Sequence, residues 1–237
     1  MVMKRILAIS DIHGALDQLE NLLEKVKYDS TKDQLILLGD YIDRGPNAKG
    51  VVEKVIQLKS KGAIALKGNH EDWMIKAFQG QKDVILKWIK NGGRQTLHSY
   101  GFTIDPENIE ESFANIQSDL IQEHIAFLDS LPLYYELDPY IFVHAGVHPT
   151  LPFADTEHRT FLWIRDEFHQ NYQGEKIVVF GHTPTTRLHG CADVYFGKNH
   201  IIGIDGGCVF GGQLNCLELP SQQVTYVDGE KLEDDES

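Results

Sequence analysis

The 237-residue chain has 42% hydrophobic and 24% charged residues, an ordinary globular composition that permits one large α/β domain with a sizeable core. Its 35 acidic and 22 basic side chains give a formal net charge of -13. Such a balance disfavours a general nucleic-acid-binding or membrane-surface protein. It does not exclude a local phosphate site, because bound divalent metals can outweigh nearby carboxylates.

The cysteines and the first residues indicate the compartment. Cys191, Cys208 and Cys216 are odd in number and form no CxxC pair, which predicts a reducing environment rather than a disulfide framework. The apolar run after Met1–Arg5 is short and meets Asp11, unlike a signal peptide. The sequence also lacks a run of about 18 apolar residues, the minimum for a membrane helix. We therefore predict a cytoplasmic protein with no membrane partner.

Short apolar runs alternate with helical patterns in the first third of the chain. The pattern predicts strands over Lys4–Ser10, Gln34–Leu38 and Ala63–Leu66, and helices over Gly14–Lys27, Asn47–Lys61 and Glu71–Phe78. This alternation is typical of a parallel α/β sheet.

The remainder of the chain predicts helices followed by strands. Residues 80–130 have the spacing of helices with buried faces. Strands are predicted over Leu133–Glu136, Tyr140–Val143, Lys176–Phe180, His200–Ile204, Gln213–Leu219 and Gln222–Val227. The last two flank Pro220-Ser221 and predict an antiparallel hairpin. With no linker in the sequence, residues 1–228 are predicted to form one domain, and the acidic residues 229–237 a mobile tail.

Five of the predicted strands are each followed directly by side chains that can bind a metal. These segments are Asp11-Ile12-His13, Asp40-Tyr41-Ile42-Asp43-Arg44-Gly45, Asn69-His70-Glu71, His144-Ala145-Gly146 and His182-Thr183-Pro184. Open α/β sheets bind ligands at the carboxyl ends of their strands. Carboxylate, amide and imidazole donors without thiolates suit hard or borderline divalent metals. The sequence therefore predicts a metal site at this edge, with Asp40 as a bridging ligand.

Each motif alone also has an ordinary structural interpretation. An isolated Asp-x-His or Gly-Asn-His is more often a turn, and His144 by itself could be a hydrogen-bonded core histidine. The Gly-Asp-x-x-Asp-Arg-Gly segment at residues 39–45 is more specific. A shared site is the better interpretation because the motifs occur together, each after a strand.

This set of motifs resembles the metallophosphoesterase superfamily, and within it the bacterial and phage branch of the PPP-type serine/threonine protein phosphatases. The resemblance extends over about residues 4–219 and includes the weaker features Trp88–Gly93, Trp163–Asp166 and Ile204–Cys208. It implies the calcineurin-like fold, a four-layer α/β/β/α sandwich of two mixed sheets with two metals at one edge. Gly206 departs from the pattern, since many relatives have threonine there, and this puts the geometry of its loop in doubt.

The resemblance also implies metal ligands. Two divalent metals would be held by Asp11, His13, Asp40, Asn69, His144 and His182, with Asp40 shared between them. Manganese is the favoured metal, and iron or zinc are the alternatives for this donor set.

Four further residues receive roles from the resemblance. His70 would be the proton donor to the leaving group, held by Asp43, which would favour its protonated form. Arg44 and Arg165 would bind phosphate oxygens. The Arg165 motif is weaker, and a surface salt bridge to the adjacent acidic residues Asp166 or Glu167 is the alternative for it.

The implied reaction is hydrolysis of a phosphate monoester by a metal-bridging hydroxide. Asp43-Arg44-Gly45, Glu71 and Thr183-Pro184 favour a serine/threonine protein phosphatase acting on a phosphoprotein or phosphopeptide. The alternative is a dinucleoside polyphosphate hydrolase, for example of diadenosine tetraphosphate, because Phe210-Gly211-Gly212 resembles both branches. An inactive scaffold ranks low because every ligand position is present, and the acidic balance disfavours a nuclease. The sequence indicates no particular oligomeric state.

Overall fold

The computed structural model of the protein describes residues 4–231, and they contain two five-stranded sheets. The strands of the first sheet are β1 (Arg5–Ile9), β2 (Asp33–Leu37), β3 (Ile64–Ala65), β9 (Gln213–Leu219) and β10 (Val224–Asp228). Their order is β10-β9-β1-β2-β3, in which β1, β2 and β3 are parallel and the β9–β10 hairpin is antiparallel. The predicted parallel strands and the predicted hairpin are thus parts of one mixed sheet.

The second sheet is also mixed. Its strands are β4 (Tyr134–Leu137), β5 (Tyr140–Val143), β6 (Ile177–Phe180), β7 (Tyr195–Phe196) and β8 (Ile201–Gly203). They lie in the order β4-β5-β6-β8-β7, with β5, β6 and β8 parallel. The two-residue strand β7 was not predicted, because it is too short to show an alternating pattern.

Within the described residues, ten α-helices connect and cover the strands. They are α1 (Leu16–Lys25), α2 (Ala48–Ser60), α3 (Asn69–Phe78), α4 (Lys82–Trp88), α5 (Arg94–Ser99), α6 (Ile109–Ala114), α7 (Asp119–Asp129), α8 (His158–Trp163), α9 (Asp166–Asn171) and α10 (Thr186–His189). A π-helical turn at Ile89–Gly93 joins α4 to α5, and a 3-10 turn lies at Phe153–Asp155. No helix in residues 4–231 is long and apolar enough to cross a membrane.

Alternating side chains of β1 show how the layers are stacked. Leu7 and Ile9 point to one hydrophobic cluster, which includes the buried residues of α1 and α2. Ile6 and Ala8 point to a second cluster, shared with Phe142 of the other sheet. A third cluster packs α8 and α9 on the outer face of β5 and β6. Because a strand presents successive residues to opposite faces, the four layers are helices, sheet, sheet and helices, as predicted.

Two sequence-level expectations about loops can be compared with the structure. A Cβ atom at Gly206 would meet the Gln213 carbonyl oxygen and, at 2.7 Å, the Asn215 amide nitrogen, so this loop has no room for the threonine of many relatives. Of the predicted tail, Gly229 donates its N–H to Gly212 O at 2.7 Å, and Lys231 pairs with Phe210. Residues 232–237 lie outside the described part of the chain.

Candidate metal centre and phosphate site

The carboxyl ends of the central strands of both sheets meet at one edge of the sandwich. The six predicted ligands follow β1, β2, β3, β5 and β6, and all are buried: Asp11, His13, Asp40, Asn69, His144 and His182. Five of them line a cavity of about 280 Å³, and His144 contacts Asp40 beneath it. The structure therefore brings together all the residues that the sequence predicts.

Asp40 lies at the centre of the group. Its Oδ2 atom is 3.6 Å from His13 Nε2 and 3.4 Å from His144 Nε2. Two sets of side chains share this carboxylate, each with its potential ligand atoms within 4.8 Å of one another. These sets are His13, Asp40 and His70, and Asp40, His144 and His182. Asp40 thus has the position expected of a shared ligand.

Asp11 is arranged differently from the sequence-based expectation. Its Oδ2 accepts the Ser10 hydroxyl and, at 2.9 Å, the backbone N–H of His182. His70, rather than Asp11, completes the close set with His13 and Asp40. Asp11 still lines the same cavity, and its place among the ligands stays a prediction.

The histidine rings are oriented by backbone carbonyl groups. His13 Nδ1 is 2.8 Å from Ile42 O, and His144 Nδ1 is 2.9 Å from Leu38 O. Each bond uses one ring nitrogen and leaves Nε2 directed to Asp40, which is the second-shell pattern typical of metal-binding histidines. His182 Nε2 is buried and has no hydrogen-bond partner among residues 4–231. This buried free nitrogen and the oxygen-imidazole donor set fit divalent metals.

The backbone at the site is strained. Nine non-glycine residues in the described chain have positive φ, and six of them belong to the predicted site: Asp11, His13, Asp40, Asp43, Arg44 and His182. Positive φ costs a non-glycine residue roughly 1–3 kcal/mol, and such residues cluster at functional sites. Gly92, itself at φ 111°, comes so close to Arg44 that a Cβ atom there would lie 2.5 Å from Arg44 N. The backbone after these strands therefore turns away from the sheet and directs the side chains towards the site.

Glu71 organises these bent loops. Its carboxylate accepts backbone N–H groups of Asp40 at 2.9 Å, Tyr41 at 2.8 Å and Gly68 at 2.8 Å. Glu71 is the third residue of α3, so the bond to Gly68 is half of a capping box, and the others connect α3 to the loop after β2. This role was missed, although glutamate three residues after the start of a helix was the available signal.

A buried network holds the predicted proton donor. His70 Nδ1 is 2.5 Å from Asp43 Oδ2. The Trp88 indole N–H donates to Asp43, and the Thr96 hydroxyl donates to Asp43 Oδ1 at 2.6 Å. His70 Nε2 remains directed to the cavity, 2.9 Å from an Arg44 nitrogen. The prediction that Asp43 holds the His70 ring agrees with this arrangement.

The protonation of His70 differs from the expectation. Burial lowers the pKa of His70 well below its usual value, with repulsion from Arg44 and His144 adding to it. Burial raises the pKa of Asp43 to about 8. Asp43 therefore orients the ring, but the free site does not favour the charged imidazolium, because both partners are withdrawn from water.

The other buried groups show the same influence of burial. It raises the pKa of Asp40 to about 7 and that of Asp11 to about 6. It lowers the pKa values of His13 and His182 well below the usual value, with Arg44 adding to the effect on His13 and His144 to that on His182. Neutral imidazole is the metal-binding form, and a bound cation would reverse the cost of ionising the carboxyl groups.

Two arginines predicted to bind phosphate line the same cavity. Arg44 lies between His13 and His70 and approaches both rings. Arg165 also lines the cavity, and its Nη1 atom is buried with no hydrogen-bond partner. Within residues 4–231 it forms no ion pair with Asp166 or Glu167; Asp166 instead lies 3.9 Å from His169. The surface salt bridge is therefore not what the structure shows.

Sequence reasoning did not assign several residues that line the cavity. They are Trp73, Asn91, Trp163, Arg187, Asp205 and Phe210. Asp205 is buried, and burial together with Asp11 raises its pKa well above the usual value. Its segment, Ile204–Cys208, was noted only as a weak feature of the resemblance. Arg187 and the aromatic residues have no recognisable spacing, since they come from separate elements.

A model of the calcineurin-like phosphoesterases matches residues 4–224. The chain belongs to this family. Its family and its relatives identify this phosphoesterase as a metal-dependent hydrolase of phosphoric esters. The superfamily resemblance seen in the motifs is thereby confirmed.

The relatives of this phosphoesterase include dinucleoside tetraphosphatases. It is 30% identical to the asymmetrical bis(5'-nucleosyl)-tetraphosphatase PrpE of Oceanobacillus iheyensis, over 92% of this chain and 90% of the relative. A solved structure described as a candidate diadenosine tetraphosphatase is 25% identical, with a TM-score of 0.71, and covers 98% of this chain and 96% of that chain. A serine/threonine phosphatase structure from Saccharomyces cerevisiae is 16% identical, with a TM-score of 0.61 over 98% of this chain and 82% of its own. At this identity the yeast protein shares the fold alone.

Proposed function

We propose that this phosphoesterase hydrolyses dinucleoside tetraphosphates. The observation that carries the proposal is one cavity in which the buried ligand cluster meets Arg44 and Arg165, in a chain similar over 92% of its length to an asymmetrical tetraphosphatase. The protein-phosphatase interpretation of the sequence is less well supported, because the solved protein phosphatases are similar only in fold.

The reaction is addition of water across a phosphoanhydride bond. The water oxygen bonds to one phosphorus, the bond from that phosphorus to the bridging oxygen breaks, and the bridging oxygen leaves with the electron pair on the departing nucleotide. Divalent metals, when bound, supply an activated water and neutralise phosphate charge. The proposed ligands are Asp11, His13, Asp40, Asn69, His144 and His182.

The arginines bind and orient the phosphoryl group under attack. Arg44 projects into the cavity between His13 and His70, and the free Nη1 of Arg165 needs an acceptor. A planar guanidinium group can donate two parallel hydrogen bonds to phosphate oxygens. Binding from two sides fixes the phosphorus for in-line attack, which is the main protein contribution in phosphoryl transfer.

His70 supplies the proton to the leaving oxygen from Nε2, and Asp43 holds its ring through Nδ1. A phosphate that binds Arg44 offsets the repulsion between that guanidinium and a protonated His70, which after burial is the second cause of the lowered His70 pKa. Substrate binding therefore makes protonation of His70 less unfavourable than it is in the free site. A phosphate leaving group is a weak base and needs this proton less than an alkoxide does.

The test is a substrate comparison on metal-stripped protein supplemented with Mn²⁺. We would measure kcat/KM for diadenosine tetraphosphate, a phosphoserine peptide and p-nitrophenyl phosphate, and separate the nucleotide products by chromatography. A preference for the dinucleotide is expected, with ATP and AMP as products of asymmetrical cleavage and two ADP as those of symmetrical cleavage. The Asp40→Asn variant measures contaminating activity. A preference for the phosphopeptide would contradict the proposal and restore the protein-phosphatase interpretation.

A further inference from the structure

The cavity is lined by one more arginine than the two that the proposed function assigns to the phosphoryl group under attack. Arg44, Arg165 and Arg187 all line it, although the chain carries a net charge of -13. Arg44 and Arg165 suffice to hold the phosphate under attack. Arg187 comes from α10, which begins four residues after His182, so it lies beside the metal centre without belonging to it.

Arg165 and Arg187 are close enough to repel each other. Burial and the charge of Arg187 lower the pKa of Arg165. Within residues 4–231, neither the half-buried Arg165 nor the exposed Arg187 forms an ion pair, although Asp11, Asp205 and Asp40 act on Arg165 from a distance. Two neighbouring cations without a salt bridge have a favourable interaction with a ligand that carries several negative charges along its length.

An aromatic ring stands on the same side of the cavity. Phe210 is 57% exposed, the highest value among the exposed large hydrophobic residues of the described chain, and Arg44 Cζ lies 5.1 Å from its ring centroid. A Cβ atom at Gly207 would be 3.8 Å from Phe210 and 3.9 Å from Pro184. Arg187 in turn donates its backbone N–H to Pro184 O at 2.8 Å. Pro184, which also lines the cavity, thus lies close to the Phe210 loop and three residues before Arg187.

The loop that carries Phe210 is held firmly. Phe210 N donates to Gly207 O at 2.9 Å, Gly212 N donates to the same oxygen at 3.0 Å, and Gly229 N donates to Gly212 O at 2.7 Å. A ring that is held by its backbone and exposed at the mouth of a cavity can stack on a planar group at little entropic cost.

We propose that Arg187 and Phe210 form a subsite for the part of a dinucleoside polyphosphate that lies beyond the bond being cleaved. Arg187 binds the distal phosphates, and Phe210 stacks on the distal base. The inference rests on the proposed function and specifies which residues select a dinucleotide over a simple phosphomonoester. A phosphomonoester has no phosphates beyond the bond being cleaved that Arg187 could bind.

The test compares Arg187→Ala and Phe210→Ala with two matched controls. Arg159→Ala removes an exposed arginine, and Phe196→Ala removes a phenylalanine that is 45% exposed; neither lines the cavity. Each protein is assayed with diadenosine tetraphosphate and with p-nitrophenyl phosphate, and its bound metal and thermal midpoint are measured to exclude misfolding.

The expected result is a selective loss. Arg187→Ala should lower kcat/KM for the dinucleotide by roughly 10- to 100-fold, as expected for charge-assisted hydrogen bonds. Phe210→Ala should lower it by about tenfold, in the range of base stacking, and Phe210→Tyr should restore it. Both losses should appear mainly in KM, and Arg187→Ala should lower p-nitrophenyl phosphate turnover by less than about threefold. Because the Phe210 ring also lies against Arg44, the expectation for Phe210→Ala is a larger loss with the dinucleotide than with p-nitrophenyl phosphate. The controls should match the wild type with both substrates.

Two results would overturn the inference, and they differ from failure of the proposed function. Equal losses with both substrates would show that the residues support the centre in general, and no loss in either variant would show that the distal half binds elsewhere. A wild-type enzyme that cleaves the phosphopeptide but not diadenosine tetraphosphate would overturn the proposed function and the subsite together.

Discussion

The floor and the rim of the cavity are built on different principles. The floor consists of Asp11, His13, Asp40, Asn69, His144 and His182, which are at most 6% exposed and are held by hydrogen bonds to one another and to backbone groups of separate strands. The rim consists of Trp73, Trp163, Arg165, Arg187 and Phe210, which come from α3, α8 and α10 and from two connecting segments. The residues proposed to carry out the chemistry common to all phosphoesters are therefore the most tightly held. The residues proposed to select the substrate lie at the mouth of the cavity, where side chains can vary.

This comparison predicts that a substitution in the floor lowers kcat/KM to the same extent with every substrate. Asp40→Asn should lower kcat/KM by at least about 10⁴-fold for the dinucleotide and p-nitrophenyl phosphate alike, since catalysis by a bound metal that lowers the pKa of its water is lost. Metal analysis should find fewer than two bound ions. Asp83→Asn, the same change at an exposed position of α4, is the control. Two tightly held ions in Asp40→Asn would remove Asp40 from the ligands.

His70 is the proposed proton donor to the leaving oxygen, so the effect of replacing it should depend on the leaving group. His70→Asn should lower kcat roughly 10²- to 10⁴-fold for an alkyl phosphate, the range for general acids, and much less for diadenosine tetraphosphate. Bound metal should be unchanged. Unaltered turnover of the alkyl phosphate would refute the acid role, whereas loss of one metal would make His70 a ligand, as its proximity to His13 and Asp40 allows.

Removing one hydrogen bond from Asp43 should have a smaller effect. Thr96→Val deletes the hydroxyl that donates to Asp43 Oδ1 and accepts from Asp43 N. We expect kcat to fall about tenfold, the lower end for lost second-shell partners, with the largest loss on substrates with poor leaving groups. Thr103→Val, at an exposed position, should have no effect. A uniform loss across substrates would indicate a structural role rather than orientation of His70.

The smallest expected effect is on the thermal stability of the metal-stripped protein. Burial raises the pKa values of Asp40 and Glu71 to about 7 and of Asp43 to about 8. These groups ionise near pH 4 when unfolded, so the stability they contribute is present at low pH and lost as pH rises through 7 and 8. Unfolded histidines ionise near pH 6.5, so only above about pH 7.5 are they almost fully neutral and no longer oppose this trend.

The midpoint of thermal unfolding should therefore fall by roughly 2 °C between pH 7.5 and pH 9. Mn²⁺ should reduce the fall, because a bound cation favours ionised Asp40. Calorimetry of the stripped and metal-loaded protein checks both statements. A midpoint that rises over this interval without metal would mean that the carboxyl groups ionise freely in the fold.

Much of the floor could be predicted because its signal is local. Each ligand follows an apolar strand within a few residues, and a strand end at a sheet edge has a known position in an α/β fold. The same logic gave the strands, the β9–β10 hairpin and the two-layer helical cover. Short elements such as β7 and α10 were missed, since two to four residues carry no measurable periodicity.

The connections between ligands and their supports could not be predicted. Asp43 and Thr96 are separated by 53 positions in sequence, and Asp40 and Glu71 by 31; nothing local in the chain pairs them. The pKa of His70 also depends on how completely Arg44, His144 and the surrounding core enclose it, which is a property of packing and not of spacing.

The sequence by itself thus determined the chemistry of this protein: which residue types follow which strands, and hence a phosphoesterase with divalent metals. The tertiary structure alone decided which backbone groups hold the predicted ligands, and that Arg187 and the exposed Phe210 line the same cavity. The physical reason is that the identity of a single residue determines which type of ligand atom its position offers. Selection of a substrate depends on distances between side chains that meet only when two sheets and their helices pack together.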